Sequence, residues 1–188
     1  LKSIRRYKSS LSRNGDSVAE HSWRLALMVF VIGKELEVPV DIFRAMQMAL
    51  LHDFAELKTD DIDAIEVING EVDLKDKQKD EARAMQEILK GISFKSDILV
   101  LWNEYEKQES TEAKFVKALD KIEGFLHLDE TGTGAYIPEQ FHGDYADAAV
   151  KHFDEAIHHF PPLQKLLDPI KADLKMKFEK LGVEWVEG

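Results

Sequence analysis

The run Ile42-Phe43-Arg44-Ala45-Met46-Gln47-Met48-Ala49-Leu50-Leu51 is built from good helix formers without glycine or proline, and it leads directly into His52-Asp53-Phe54-Ala55-Glu56. Such a run predicts a helix with one face in a core. On that helix Asp53 shares the stripe of Phe43, Met46, Leu50 and Leu57, the stripe expected to face inward. His52 and Glu56 stand four residues apart and project from one face. A carboxylate entering a core is costly unless it is paired or binds a metal. The stretch therefore reads either as a helix end with a local His-Asp contact or as part of a metal site.

The same helical logic extends along the chain. Asn14-Gly15-Asp16 is a turn signal, and Ser17-Val18-Ala19-Glu20 has the pattern of a capping box, so a helix begins near Ser17. Its apolar face holds Leu25, Met28, Val29 and Ile32, with His21 on that face in the first turn. Asp41 is placed to cap the helix that carries His52. Residues 57–63 form an acid-dense loop, and a charged helix follows from Asp73 to Lys90, ended by Gly91. Ser96 or Asp97 is expected to cap the next helix, and Ser110-Thr111-Glu112 opens another with a stripe at Phe115, Leu119, Ile122 and Leu126. Asp120 sits at the edge of that stripe, open to a pairing with Lys117 or Lys121 or to a role inside. A glycine-rich loop at 130–138, a helix from Tyr145 to Phe160 and a last helix from Leu163 to Leu181 complete the reading. His152, His158 and His159 lack a matched acid at ligand spacing and read as structural or exposed. No strand pattern and no linker emerges. The expectation is an all-α bundle of about seven or eight helices, a single domain over 1–188 with its motif-bearing core at about 4–128 and C-terminal helices over 145–183.

Composition limits the function classes. A length of 188 residues with 44% hydrophobic content suits one soluble domain. No uncharged apolar run reaches the roughly 18 residues of a membrane span. The first residues, Leu1 to Tyr7, lack the apolar segment of a secretory signal, and a start without Met is expected of a trimmed or partial N-terminus. A formal net charge of −11 disfavours nucleic acid and acidic membranes as partners, although one pocket can still attract a small anion. The basic residues Arg5, Arg6, Lys8 and Arg13 cluster at the start of this acidic chain, as a solvated face or as part of a site. The absence of cysteine excludes disulfides and thiolate metal sites and points to a reducing cytoplasm.

His21, His52, Asp53 and Asp120 come from three separate helices. Two imidazoles and two carboxylates form a donor set for a divalent first-row metal or magnesium. A water bound there would lose several pKa units and become a nucleophile near neutral pH.

A histidine, a later His-Asp pair and a distant Asp resemble the H…HD…D signature of the HD-domain metal phosphohydrolases. Ala19-Glu20-His21-Ser22, His52-Asp53-Phe54-Ala55-Glu56 and Lys117-Ala118-Leu119-Asp120-Lys121 are similar, more narrowly, to the 5′-deoxynucleotidase branch. The resemblance implies that His21, His52, Asp53 and Asp120 ligate one divalent ion, of which Mn, Co, Mg, Zn and Fe are all compatible. It implies that Glu56 orients the attacking water or assists proton transfer, with Asp61 as a second carboxylate near that water. Arg6-Tyr7 matches the family's Arg-aromatic pair at the phosphate and sugar, with Tyr7 standing where the family typically has Trp. The implied substrate is a nucleoside 5′-monophosphate, preferably 2′-deoxy, and the implied assembly is a homodimer. Two other readings stay open: a different HD phosphohydrolase acting on a cyclic or polyphosphorylated nucleotide, and a non-catalytic binding or regulatory domain that retains the metal. A plain helical interaction module ranks behind both.

Overall fold

Ser17 starts the first helix by a reciprocal pair of contacts. Its hydroxyl accepts from the Glu20 backbone N–H at 3.2 Å, and its own N–H donates to the Glu20 carboxylate at 2.7 Å. The computed structural model describes residues 1–6, 15–62, 66, 70–131, 151, 155, 157–182 and 185. Within them α1 spans Val18–Glu35, α2 Ile42–Leu51, α3 Glu56–Thr59, α4 Leu74–Ile88, α5 Lys95–Lys107, α6 Thr111–Thr131 and α7 Gln164–Lys180, the last entered through a 3-10 turn at Pro161–Leu163. The described residues contain no strand. Among the described residues a single antiparallel bridge, between Arg5 and Ser17, lays residues 1–6, the N-terminal arm, along the start of α1. The expected Tyr145 helix and the 132–138 part of the glycine-rich loop fall mainly outside the described residues.

Helix α6 organises the core. Phe115, Val116, Leu119 and Ile122 are fully buried along it, and it packs against α1, α2, α5 and α7. Leu25 and Val29 meet it from α1; Leu167, Ile170, Leu174 and Phe178 close it from α7. A second, smaller cluster of Ala55, Ala84, Met85, Leu89 and Trp102 sits beneath the turn that follows α2.

Three expectations are corrected. Residues 57–59, read as part of an acid-dense loop, lie in α3, where the Lys58 and Thr59 N–H groups donate back to the Ala55 carbonyl at 3.0 and 3.3 Å. The stripe of Phe43, Leu50 and Leu57 faces outward; Phe43 is 71% exposed and Leu50 49%. The packed face of α2 is instead Ala45, Met48 and Ala49, because two alanines allow close approach to α1 and α6. His52 extends that inner face, which explains its burial. The cap of α5 is also not Ser96 or Asp97: Phe94 occupies the N-cap without a side-chain bond, and Asp97 lies in the first turn, where its charge favours the helix dipole. Asp41 does cap α2, accepting from Arg44 N–H at 3.0 Å.

Candidate metal centre

Three helices deliver four side chains to one point. The register that buries Leu25 and Val29 also buries His21 in the first turn of α1. His52 follows α2, its N–H still bonded to the Met48 carbonyl at 2.9 Å. The chain then tightens: Phe54 bonds to Leu51 at 3.0 Å and Glu56 to Asp53 at 3.1 Å, a three-residue pattern that turns Asp53 toward His52. Buried Trp102 holds this turn by donating its indole N–H to the His52 carbonyl at 3.1 Å. Asp120 arrives from α6 on the edge of the buried stripe.

The donor atoms converge. His21 Nε2 lies 3.1 Å from His52 Nε2, 3.1 Å from Asp120 Oδ1 and 3.6 Å from Asp53 Oδ2. His52 Nε2 lies 3.0 Å from Asp53 Oδ2 and 3.8 Å from Asp120 Oδ1. Ligands bonded at about 2.0–2.2 Å to one ion stand roughly 3.0–3.5 Å from one another. The ring nitrogens on the far sides are engaged: His52 Nδ1 faces the Ala49 carbonyl at 2.9 Å, and His21 Nδ1 faces the Glu123 carboxylate at 2.5 Å. Those contacts orient both rings with Nε2 toward the centre, the arrangement of metal-ligating histidines. The residues fit a divalent cation. In a second close trio, Asp16, His21 and Glu123, the carboxylates already pair with the Arg6 and Arg24 guanidinium groups.

The electrostatics require positive charge at this point. Burial and Arg6 oppose a proton on His21, yet its hydrogen bonds to the Asp120 and Glu123 carboxylates outweigh them and raise it to about 9. Burial would lift Asp53, but His52 and His21 hold it well below the usual carboxylate range. Asp120 is likewise held low against burial, by Lys117 and both histidines. Glu56 behaves oppositely. Buried, and beside the charges of Asp53 and Asp61, it is pushed up to about 10, and its Oε2 has no hydrogen-bond partner among the described residues. One carboxyl of the site is thus kept neutral next to two kept ionised, a pattern typical of acid-base sites.

The other residues expected at the site fall into place unevenly. Asp61 is near enough to act on Glu56 through its charge. Arg6 is close to the centre, but its side chain is only 11% exposed and its guanidinium donates to Glu123 at 3.0 Å and to Asp16 at 3.5 Å. Tyr7 lies outside the described residues. The sequence reading passed over Glu123, a fully buried carboxylate that also receives Arg24 Nε at 2.6 Å. Burial would raise Glu123, and His21 with the two arginines brings it down to about 2. The signal was available in spacing: Arg24 follows His21 by three residues, and Glu123 follows Asp120 by three, so each polar pair shares a helix face. His158 and His159 are exposed, as expected.

The family model described as HD domain matches residues 1–158. The chain belongs to the HD-domain family. It is 32% identical over 160 residues to human 5′-deoxynucleotidase HDDC2, covering 84% of this chain and 72% of the human one. It is 35% identical over 117 residues to the mouse protein of the same name, covering 61% of this chain and 55% of that one. The chain thus spans about half the length of the mouse relative within the matched region. The structure of a predicted metal-dependent phosphohydrolase from Magnetospirillum magnetotacticum superposes with a TM-score of 0.73 at 26% identity, covering 99% of this chain and 89% of that one. The all-α HD fold thus follows both from the helices and from these relatives.

Proposed function

We propose that this HD-domain chain hydrolyses 2′-deoxynucleoside 5′-monophosphates to nucleoside and inorganic phosphate. The observation that carries the reading is the convergence of His21, His52, Asp53 and Asp120 on one point, with both rings fixed from behind. The names of the human and mouse relatives support the substrate class. His21, His52, Asp53 and Asp120 would hold one divalent ion, drawn from Mn, Co, Mg, Zn and Fe. Bound there, such an ion supplies Lewis acidity toward the phosphoryl oxygens and lowers the pKa of water.

The chain's own groups complete the chemistry. Glu56 keeps a proton on a carboxyl beside the centre and relays it between the attacking water and the departing 5′-oxygen. Asp61 sustains that state by its charge. Glu123 fixes the His21 ring, and Arg6 and Arg24 neutralise Glu123 in turn. Tyr7 belongs to the sugar side of the proposal by resemblance.

A homodimer belongs to the same reading and is supported by the exposed apolar residues Trp23, Leu27, Phe30 and Val31 on the outer side of α1. A cytoplasmic setting is supported by the cysteine-free sequence. No helix among the described residues is long and apolar enough to cross a membrane.

The test is phosphate release from paired ribo- and deoxyribonucleoside 5′-monophosphates, with chelated protein and with protein reloaded with Mn or Co. Metal-dependent release, faster on the deoxy member, is the expected result. Metal-loaded protein that hydrolyses only cyclic or polyphosphorylated nucleotides and leaves monophosphates intact would overturn the substrate class.

A further inference from the structure

The cations around the centre are not equivalent. Arg6 is buried against Glu123 and Asp16, and Arg24 is bound to Glu123 and Glu130. Lys77 leans on Glu81 at 3.5 Å. Lys117 differs from all three. Its Nζ sits 2.9 Å from Asp120 Oδ2 and 3.2 Å from the Tyr105 hydroxyl, while its side chain remains 43% exposed. The Tyr105 hydroxyl itself donates to Asp120 Oδ2 at 3.1 Å. Asp120 is therefore divided, with Oδ1 turned to the histidines and Oδ2 to Lys117 and Tyr105.

An ammonium carries three N–H donors. Two of those on Lys117 are directed at Asp120 and Tyr105, which leaves one donor on a half-exposed side chain one carboxylate away from the centre. We propose that Lys117 receives the phosphate of the substrate, holding a non-bridging oxygen with this third N–H. The inference rests on the phosphomonoesterase reading for its ligand class. The geometry favours a compact anion: the ammonium is a point donor fixed by its two partners, beside the carboxylate whose other oxygen faces the histidines. A substrate phosphate adds negative charge there, and a cation that keeps a free donor offsets part of it.

The experiment is titration of inorganic phosphate into the metal-loaded full chain and its Lys117→Met and Lys117→Arg variants, with metal content measured on each sample. Lys117→Met is expected to keep its metal at saturating concentration and to bind phosphate about 10- to 100-fold more weakly. Lys117→Arg, which keeps a cation, is expected to recover most of that loss and shows that the site still folds. Phosphate binding by Lys117→Met within about threefold of the unmodified chain overturns the proposal. So does loss of the metal from Lys117→Met at saturation, which would reduce Lys117 to a holder of Asp120. The functional reading fails separately: an unmodified chain that binds phosphate through Lys117 but releases none from any nucleotide keeps the anion site and loses the nucleotidase.

Discussion

Glu56 and Asp53 are three residues apart and are held in opposite protonation states. The cause is local: Asp53 faces two imidazoles, whereas Glu56 is buried beside Asp53 and Asp61. Glu56→Gln should therefore keep metal stoichiometry and lower turnover by about 10²–10⁴-fold, the usual span for a general acid or base. Metal content and kcat on one preparation check this, and joint loss of both would move Glu56 into the ligand set. The same residue gives a pH signature in the metal-free chain. Folded, Glu56 holds its proton up to about 10; unfolded, it ionises near 4.5. The native state then binds one proton more than the unfolded state, so this contribution is full below the unfolded value and is lost as pH rises toward the folded one. The slope is at most about 1.4 kcal/mol per pH unit. Urea midpoints of the metal-free chain, compared with those of Glu56→Gln across this window, should show the slope flatten in the variant.

At the scale of elements, the centre depends on how α1, α2 and α6 pack and on how the N-terminal arm lies against α1. Gly15 marks the tightest approach of that arm: a Cβ there would stand 2.0 Å from the Arg6 carbonyl oxygen, a backbone atom that cannot simply rotate away. Gly15→Ala should displace Arg6 from Glu123 and cost about 1–3 kcal/mol, read from denaturant midpoints. Leu119→Ala, in the buried stripe of α6 beside Asp120, should cost about 2–5 kcal/mol by the same measurement. Much of this architecture was legible in the sequence. The Ser17 box, the Asp41 cap and the Phe115, Leu119, Ile122 stripe all appear where periodicity put them. The face of α2 did not, because hydrophobicity ranks Phe43 and Leu50 above Ala45 and Ala49, whereas close helix packing selects the small residues. Glu123 was missed for a related reason: an acid looks solvent-facing in a one-dimensional pattern, and its burial depends on Arg6 and Arg24, which arrive from 117 and 99 residues away. The grouping of the four side chains survived both errors, since His21, the His52-Asp53 turn and Asp120 are each placed by local register.

For the whole molecule, metal and fold are linked. A cation that binds only the native arrangement stabilises it by about 2.7 kcal/mol at a hundred times its Kd. The Tm should therefore climb with added Mn or Co and fall with chelator, and an unchanged Tm across that range would contradict a preformed centre. The acidic surface, with a net charge of −11, sits around a centre that itself calls for positive charge, so attraction of an anionic substrate depends on the bound ion and on nearby cations such as Lys117. The central claim is that one constellation, His21, His52, Asp53 and Asp120, both holds the ion and supports phosphate release. Its most direct measurement is metal per chain and phosphate release from a 2′-deoxynucleoside 5′-monophosphate, made on the same samples of the unmodified chain and Asp53→Ala. The account predicts one bound ion and metal-dependent release from the unmodified chain, with both lost together in the variant. An Asp53→Ala chain that retains full release would contradict it.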